Sequence, residues 1–277
     1  MTEPSQTERR DAAMAAIRTR TDRACDTALI LGTGLGGLVD AIEDPVHVPY
    51  DAIDGFPRST APGHAGRLVF GRLHGTDAAV MQGRFHLYEG WSARDIALAV
   101  YVLKGLGARR LIVTNAAGGL TPAFDAGDVM LVEDHMNFTG QNPLTGLNDE
   151  AIGPRFPDLL HAYDPGLRAT ALAAAERAGV PLRRGIYLGI AGPSLETAAE
   201  RRHFASTGGD AIGMSTVMEV IAAAHCGLPV LALSAITNKA TGGADQQVDT
   251  IEDVLANAAI SGAKIARVLE RLLPDFA

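Results

Sequence analysis

Two apolar runs limit this chain more than any other feature: LIVTNA at residues 111–116 and VLALSAI at 230–236. A strand with one wet face alternates polar and apolar residues, and neither run does so. Both therefore belong in a sheet covered on each face by helices, the layering of an α/β protein. Other short apolar runs bounded by Gly, Asp or Pro extend the pattern, predicting strands at 27–32, 67–73, 77–82, 110–114, 128–133, 185–191, 210–213 and 229–236. Apolar residues at three-to-four spacing predict helices at 8–20, 93–106, 165–178, 195–206, 216–226 and 249–273. The stretch 134–157, rich in Asn, Gly and Pro, reads as a long ordered loop of the kind that carries a site or an interface.

With 277 residues, 47% of them hydrophobic, and a mean hydropathy of +0.10, the chain can bury a large core as one domain spanning 1–277. No apolar run reaches the roughly 18 residues of a membrane-spanning helix, and the first residues are polar where a signal peptide needs an apolar stretch. A cytoplasmic protein is expected. Cys25 and Cys226 lack the paired spacing of a zinc or redox motif and read as buried and reduced, and the eight histidines show no metal-site spacing. A formal charge of −8 argues against nucleic acid as a partner, because binding it requires an excess of Lys and Arg. Any phosphate must be held locally.

TALILGTGLGGL (27–38) and LIVTNAAGGL (111–120) suggest where. Each reads as a buried strand ending in a glycine-rich turn, where small residues let backbone N–H groups approach an anion and the next helix aims its positive end. Gly32, Gly34 and Gly37 also fit the dinucleotide fingerprint, with Asp51 and Asp54 near the place of a ribose-binding acid. Between them, however, Pro45 and Pro49 interrupt any clear second strand ending at that acid, so a βαβ unit is not expected.

FPRSTAPGHAGRLVFG (56–71), MQGRFHLYEGW (81–91), VTNAAGGL (113–120), AGPSLETAAE (191–200), AIGMSTVMEV (211–220) and ITNKA (236–240) together resemble the trimeric purine nucleoside phosphorylases. The resemblance runs in order from about residue 27 to residue 240 and is more specific than any one block. It implies one α/β domain with a mixed central sheet flanked by helices, a homotrimer, and reversible phosphorolysis of a purine nucleoside to free base and ribose 1-phosphate. Inorganic phosphate is then a co-substrate; no cofactor, metal, nucleic acid or membrane partner is expected.

Residue by residue, the resemblance implies a phosphate site of Thr33, Arg84, His86, Ala116 and Ser215, with His64 at its rim. Tyr88 and Met214 would lie against the ribose, and Phe156 would cover it from a neighbouring subunit. Glu196 would accept hydrogen bonds from purine N1–H and a 2-amino group, Asn238 would bond N7 and the 6-oxo group, and Leu195 would pack on the base. Glu196, Asn238 and His86 are the expected catalytic residues. The Glu–Asn pair favours hypoxanthine and guanine, because adenine has no N1–H and carries a 6-amino donor. Asn238 points the same way, since relatives that cleave methylthioadenosine commonly have Asp there.

Each residue also has a plainer reading. Thr33 and Asn238 could be turn residues, Arg84 half of a surface salt bridge, Met214 core, His64 a structural loop histidine and Phe156 an anchor for its loop. Thr216-x-x-Glu219 matches a capping box, and Glu196 would be a carboxylate in a helix's first turn. Three positions depart from many relatives: Thr33 stands for Ser, Leu195 for a stacking Phe, and Ile251 for a His that bonds the 5′-hydroxyl. Tolerance at the ribose 5′ position therefore stays open, with a 5′-methylthio nucleoside as the alternative substrate. More distant alternatives are a nicotinamide-dependent oxidoreductase and a non-catalytic nucleoside-binding protein.

Overall fold

The computed structural model describes residues 4–61, 63–244, 246 and 248–276, the side chain of Ile251 excepted. Its centre is a nine-stranded mixed sheet. In chain order the strands are β1 (Thr27–Ile30), β2 (Ile42–Pro49), β3 (Arg67–Leu73), β4 (Thr76–Gln82), β5 (Arg110–Gly119), β6 (Val129–Asn137), β7 (Leu182–Gly189), β8 (Ala211–Gly213) and β9 (Val230–Lys239). The helices are α1 (Gln6–Arg18), α2 (Ala93–Gly105), α3 (Pro165–Ala178), α4 (Ala198–Ser206), α5 (Val217–His225) and α6 (Ile251–Leu272). The sheet order is β2-β3-β4-β1-β5-β8-β7-β6-β9, and β9 also pairs with β5, so the strands from β5 to β9 close on themselves. No described helix is long and apolar enough to cross a membrane.

The unalternating runs behave as their composition requires. Leu111 and Val113 of β5 face one apolar layer with α1, α2 and α5, while Ile112 faces a second with α3 and α6; all three are fully buried. β9 divides the same way, Val230 and Ala232 to one side and Leu231, Leu233 and Ala235 to the other. Burial of strand side chains on both faces, at about 25 cal/mol per Å² of apolar surface, is what commits these runs to the centre of the sheet.

Three expectations change. Residues 42–49 do form a strand despite Pro45 and Pro49, because β2 is an edge strand antiparallel to β3, where a missing N–H costs no ladder bond. Its register shifts between Glu43 and Val46, and Asp44 takes a φ of 47° there. The segment ahead of β2 is a 3-10 helix at Gly36–Ala41, so the dinucleotide-type βαβ unit is absent. The expected second glycine turn is no turn: NAAGG continues β5, held by β9 on one side and by β8 at its end. Finally, β6 extends through Asn137, which shortens the loop expected from residue 134. Beyond it, turns closed by the side chains of Asn137, Asn142 and Asp149, and by Arg155 on the carbonyls of Leu144 and Gly146, hold the chain in place.

Candidate active site

The carboxyl ends of β1, β5 and β9 meet the residues leading into α4 and α5 around a cavity of about 230 Å³. Close backbone approach opens it at the first glycine turn. A Cβ on Gly32 would lie 2.6 Å from Asn115 Cα, and Gly34 takes a φ of +80° with Ala258 where a side chain would go. Thr33, between them, lines the cavity.

At this end Arg84 is 1% exposed. Its Nε and Nη2 donate to Glu219 Oε1 at 3.0 and 2.5 Å, Nη2 also to Thr216 Oγ1 at 3.3 Å, and Nη1 to the Thr114 carbonyl at 2.7 Å. Of the five guanidinium hydrogens, one on Nη1 is left without a protein partner among the described residues, on a side chain that lines the cavity. The plainer expectation of a surface salt bridge is thus half right: the ion pair exists, but it is buried.

That pairing displaces the expected capping box. Thr216 makes no capping bond, has a φ of 73° unusual for a β-branched residue, and accepts from Asn115 Nδ2 at 2.8 Å, while Glu219 is taken by Arg84. The first N–H of α5, on Val217, turns back to the Ser215 carbonyl at 2.8 Å, so the helix starts directly behind Ser215 without lining the cavity itself. Ser215 is held by the buried Tyr187 hydroxyl, which accepts from the Ser215 N–H at 3.3 Å and lies 3.4 Å from its Oγ.

His86 also lines the cavity, stacked on Tyr88 with ring centroids 4.5 Å apart. Burial lowers its pKa, against a hydrogen bond to Glu89 that raises it. Glu89 accepts from His86 N–H at 2.8 Å and lies 3.2 Å from Nδ1. Burial would raise the Glu89 carboxyl, but hydrogen bonds from His86 and Thr60 outweigh it and bring the pKa to about 2. The carboxylate can only accept, so Nδ1 carries the proton of a neutral ring and Nε2 is free to accept one.

His64 does not line the cavity but sits behind it, its ring 5.4 Å from that of His86. Its Nδ1 lies 3.1 Å from the Arg84 backbone nitrogen and 3.3 Å from the Arg84 carbonyl oxygen, and its buried Nε2 has no partner among the described residues. Burial, with His86 nearby, lowers its pKa to about 4.

The opposite end reads differently. Along β5 and β9 the register shifts so that Ile236 pairs with Ala117 and Asn238 with Gly118, leaving Thr237 as the extra residue of a bulge. In consequence the consecutive residues Thr237 and Asn238 both line the cavity. Glu196 and Leu195 face them from just before α4. The expected helix start at 195 moves to 198, where Thr197 and Glu200 form a capping box, so Glu196 is not a first-turn carboxylate. Leu195 is 55% exposed, and Met214, Tyr88 and Ala116 complete the predicted lining.

All predicted site residues of this chain thus converge except His64, one layer back, and Phe156, which is 88% exposed and away from the cavity. The expectation at Ile251 concerns a side chain outside the described residues; Val254, in the first turn of the same helix, does line the cavity. Sequence reading passed over Asn115, Glu89, Tyr187, Thr237, Arg201 and Asp249. Only Glu89 carried a local signal, the i, i+3 spacing from His86.

The model of the Phosphorylase superfamily matches residues 26–274. Purine nucleoside phosphorylase 1 of Geobacillus stearothermophilus is 47% identical over 90% of this chain and 90% of its own length, and the Rattus norvegicus purine nucleoside phosphorylase is 50% identical over 80% and 79%. A Schistosoma purine nucleoside phosphorylase in complex with hypoxanthine superimposes with a TM-score of 0.91 at 38% identity, covering 96% of both chains. A shared fold at that level, together with this cavity, leaves one assignment: the chain belongs to the phosphorylase superfamily and, within it, to the purine nucleoside phosphorylases, which are pentosyltransferases.

Proposed function

We propose that the chain carries out reversible phosphorolysis of 6-oxopurine nucleosides, inosine, guanosine and their deoxy forms, for reuse of the purine base. The observation that carries this reading is a single cavity with an anion-donor set at one end, including Thr33, Arg84 and Ser215, and the Glu196–Asn238 pair at the other. Phosphate is the co-substrate, held by Thr33, Arg84, His86, Ser215 and the backbone at Ala116, with His64 behind; Tyr88 and Met214 hold the ribose between the ends.

The barrier is charge separation as the glycosidic bond stretches. Phosphate below the sugar stabilises the developing oxocarbenium ion, and Asn238 and Glu196 stabilise the electron-rich purine as it departs. Neutral His86 accepts the proton of a monoanionic phosphate at Nε2, leaving the phosphate more negative as it attacks and inverts the anomeric carbon. Glu89 keeps that ring in the tautomer able to do so. Nothing in the chemistry requires a cofactor, because the anion donors and a carboxylate–carboxamide pair cover both charged poles.

The assembly is a homotrimer in which Phe156 covers the ribose of a neighbouring site. Leu147, Phe156 and Leu160, exposed by 91, 88 and 78%, support an apolar contact surface in this segment. At the 5′ side of the sugar, Ile251 in place of an imidazole makes a 5′-methylthio nucleoside the alternative substrate to inosine and guanosine. The test is phosphorus NMR of inosine mixed with phosphate and the protein: α-ribose 1-phosphate should appear, and hypoxanthine release without a sugar phosphate would refute phosphorolysis. Sedimentation equilibrium tests the trimer, a monomer at assay concentration being the contrary result.

A further inference from the structure

The side chain of Arg201, in α4, is only 6% exposed and lies between two carboxylates. Its Nε donates to Glu196 Oε2 at 3.3 Å and its Nη2 to Asp249 Oδ2 at 2.6 Å. The other oxygen of Asp249 accepts from Asn238 Nδ2 at 2.8 Å, and the Thr237 hydroxyl donates to Asn238 Oδ1 at 2.9 Å. The Asp249 side chain is 8% exposed and lies outside the active-site cavity, lining a second hollow of about 460 Å³ that shares Thr237, Asn238 and Val254 with it.

We propose that Asp249, anchored by Arg201, sets the preference for 6-oxopurines by fixing which way the Asn238 carboxamide points. The inference rests on the phosphorolysis reading above and deepens it. A carboxamide has a donor end and an acceptor end of nearly the same shape, so packing alone does not decide between its two orientations. A carboxylate decides it, because it only accepts. Turning Asn238 over would set Oδ1 against the Asp249 oxygen and lose the 2.8 Å bond, whereas the Thr237 hydroxyl, 3.3 Å from the Ala117 carbonyl, can donate there and accept from the reversed amide, so Asp249 is what decides.

In the orientation that Asp249 selects, Nδ2 keeps one hydrogen and Oδ1 one lone pair for the cavity. A 6-oxo group takes the hydrogen and a protonated N7 takes the lone pair. The reversed amide would instead offer an acceptor to a 6-amino group. Asp249 is thus a positioning residue: it touches no substrate and works through Asn238. Arg201 supplies the other half of the device, tying Asp249 to Glu196 so that the groups reading positions 1 and 6 of the base are held as one unit.

The experiment compares kcat/KM for inosine and adenosine at fixed phosphate in the wild type, Asp249→Asn and Asp249→Ala, with the KM for phosphate measured alongside. Asn at 249 keeps the shape but can donate, and Ala removes the acceptor, so both release the reversed amide. The inosine-to-adenosine ratio should fall by about tenfold or more in both variants while the phosphate KM stays within about twofold. Loss of stability alone would lower both nucleosides together and leave the ratio in place. A ratio within about twofold of wild type in both variants would overturn the role of Asp249 and leave the parent reading intact. A wild-type protein that cleaves no inosine with phosphate present would overturn both.

Discussion

At the proposed phosphate end of the cavity a buried arginine lines the wall with a carboxylate behind it; at the proposed base end a buried carboxylate and its arginine partner line the wall together. Arg84 and Glu219 have side chains 2% and 4% exposed, Arg201 and Glu196 6% and 5%. The two pairs are equally dry, so burial does not distinguish them. What distinguishes them is which members line the cavity: Arg84 alone, with a spare hydrogen, at one end, and Glu196 together with Arg201 at the other. The pairs also differ in support. Arg84 and Glu219 hang on the core, one just past β4 and the other in α5, whereas Arg201 depends on Asp249, which lies between β9 and α6.

Removing the inward-facing cation breaks this comparison most severely. Arg84→Ala leaves Glu219 buried and unpaired, so the unfolding free energy read by urea titration should fall by about 3–5 kcal/mol, with phosphate-dependent turnover lost. A variant as stable as the wild type would mean that Glu219 is not held by this pair. At the other end, Asn238→Ala should cut inosine turnover by about 10²–10³ and leave the phosphate KM in place. Near-normal turnover in that variant would remove Asn238 from catalysis.

Acid should act on the phosphate end. The His64 pKa of about 4 lies below the 6.5 of a free imidazole, so between these values the unfolded chain binds a proton that the folded chain refuses. This contribution is fully present above pH 6.5 and is lost as the pH falls toward 4, by up to about 3 kcal/mol. His64→Asn should flatten that part of the stability–pH curve, and an unchanged slope would contradict the account. The smallest effect is expected at Tyr187→Phe, where Ser215 loses a hydrogen-bond partner. The phosphate KM should rise a few-fold, about 0.5–1.5 kcal/mol, and no change in phosphate kinetics would show that Ser215 needs no such support.

The phosphate end was the more legible from sequence. Thr33, Arg84, His86 and Ser215 lie just past the ends of β1, β4 and β8 in short blocks that the resemblance identifies, while Ala116 lies within β5, which runs on past the expected turn. The start of α5 was less legible: Thr216-x-x-Glu219 reads as a cap, and only the fold brings Arg84 across to claim the glutamate. At the base end the motifs identify Glu196 and Asn238, yet nothing in local spacing links Arg201 to Asp249, 48 positions away. Nor does periodicity anticipate the bulge at Thr237 that turns two consecutive residues into one cavity. β2 escaped because two prolines argue against a central strand, and an edge strand tolerates them.

The most direct test of the opposed pairs is an ultraviolet assay of inosine, guanosine, adenosine and methylthioadenosine with the unmodified protein, each with and without phosphate. The account predicts cleavage of inosine and guanosine only, and only with phosphate, because each end then reads the group it faces. Cleavage of adenosine or methylthioadenosine in preference to inosine would contradict the assignment of Glu196 and Asn238, and cleavage without phosphate would contradict that of Arg84.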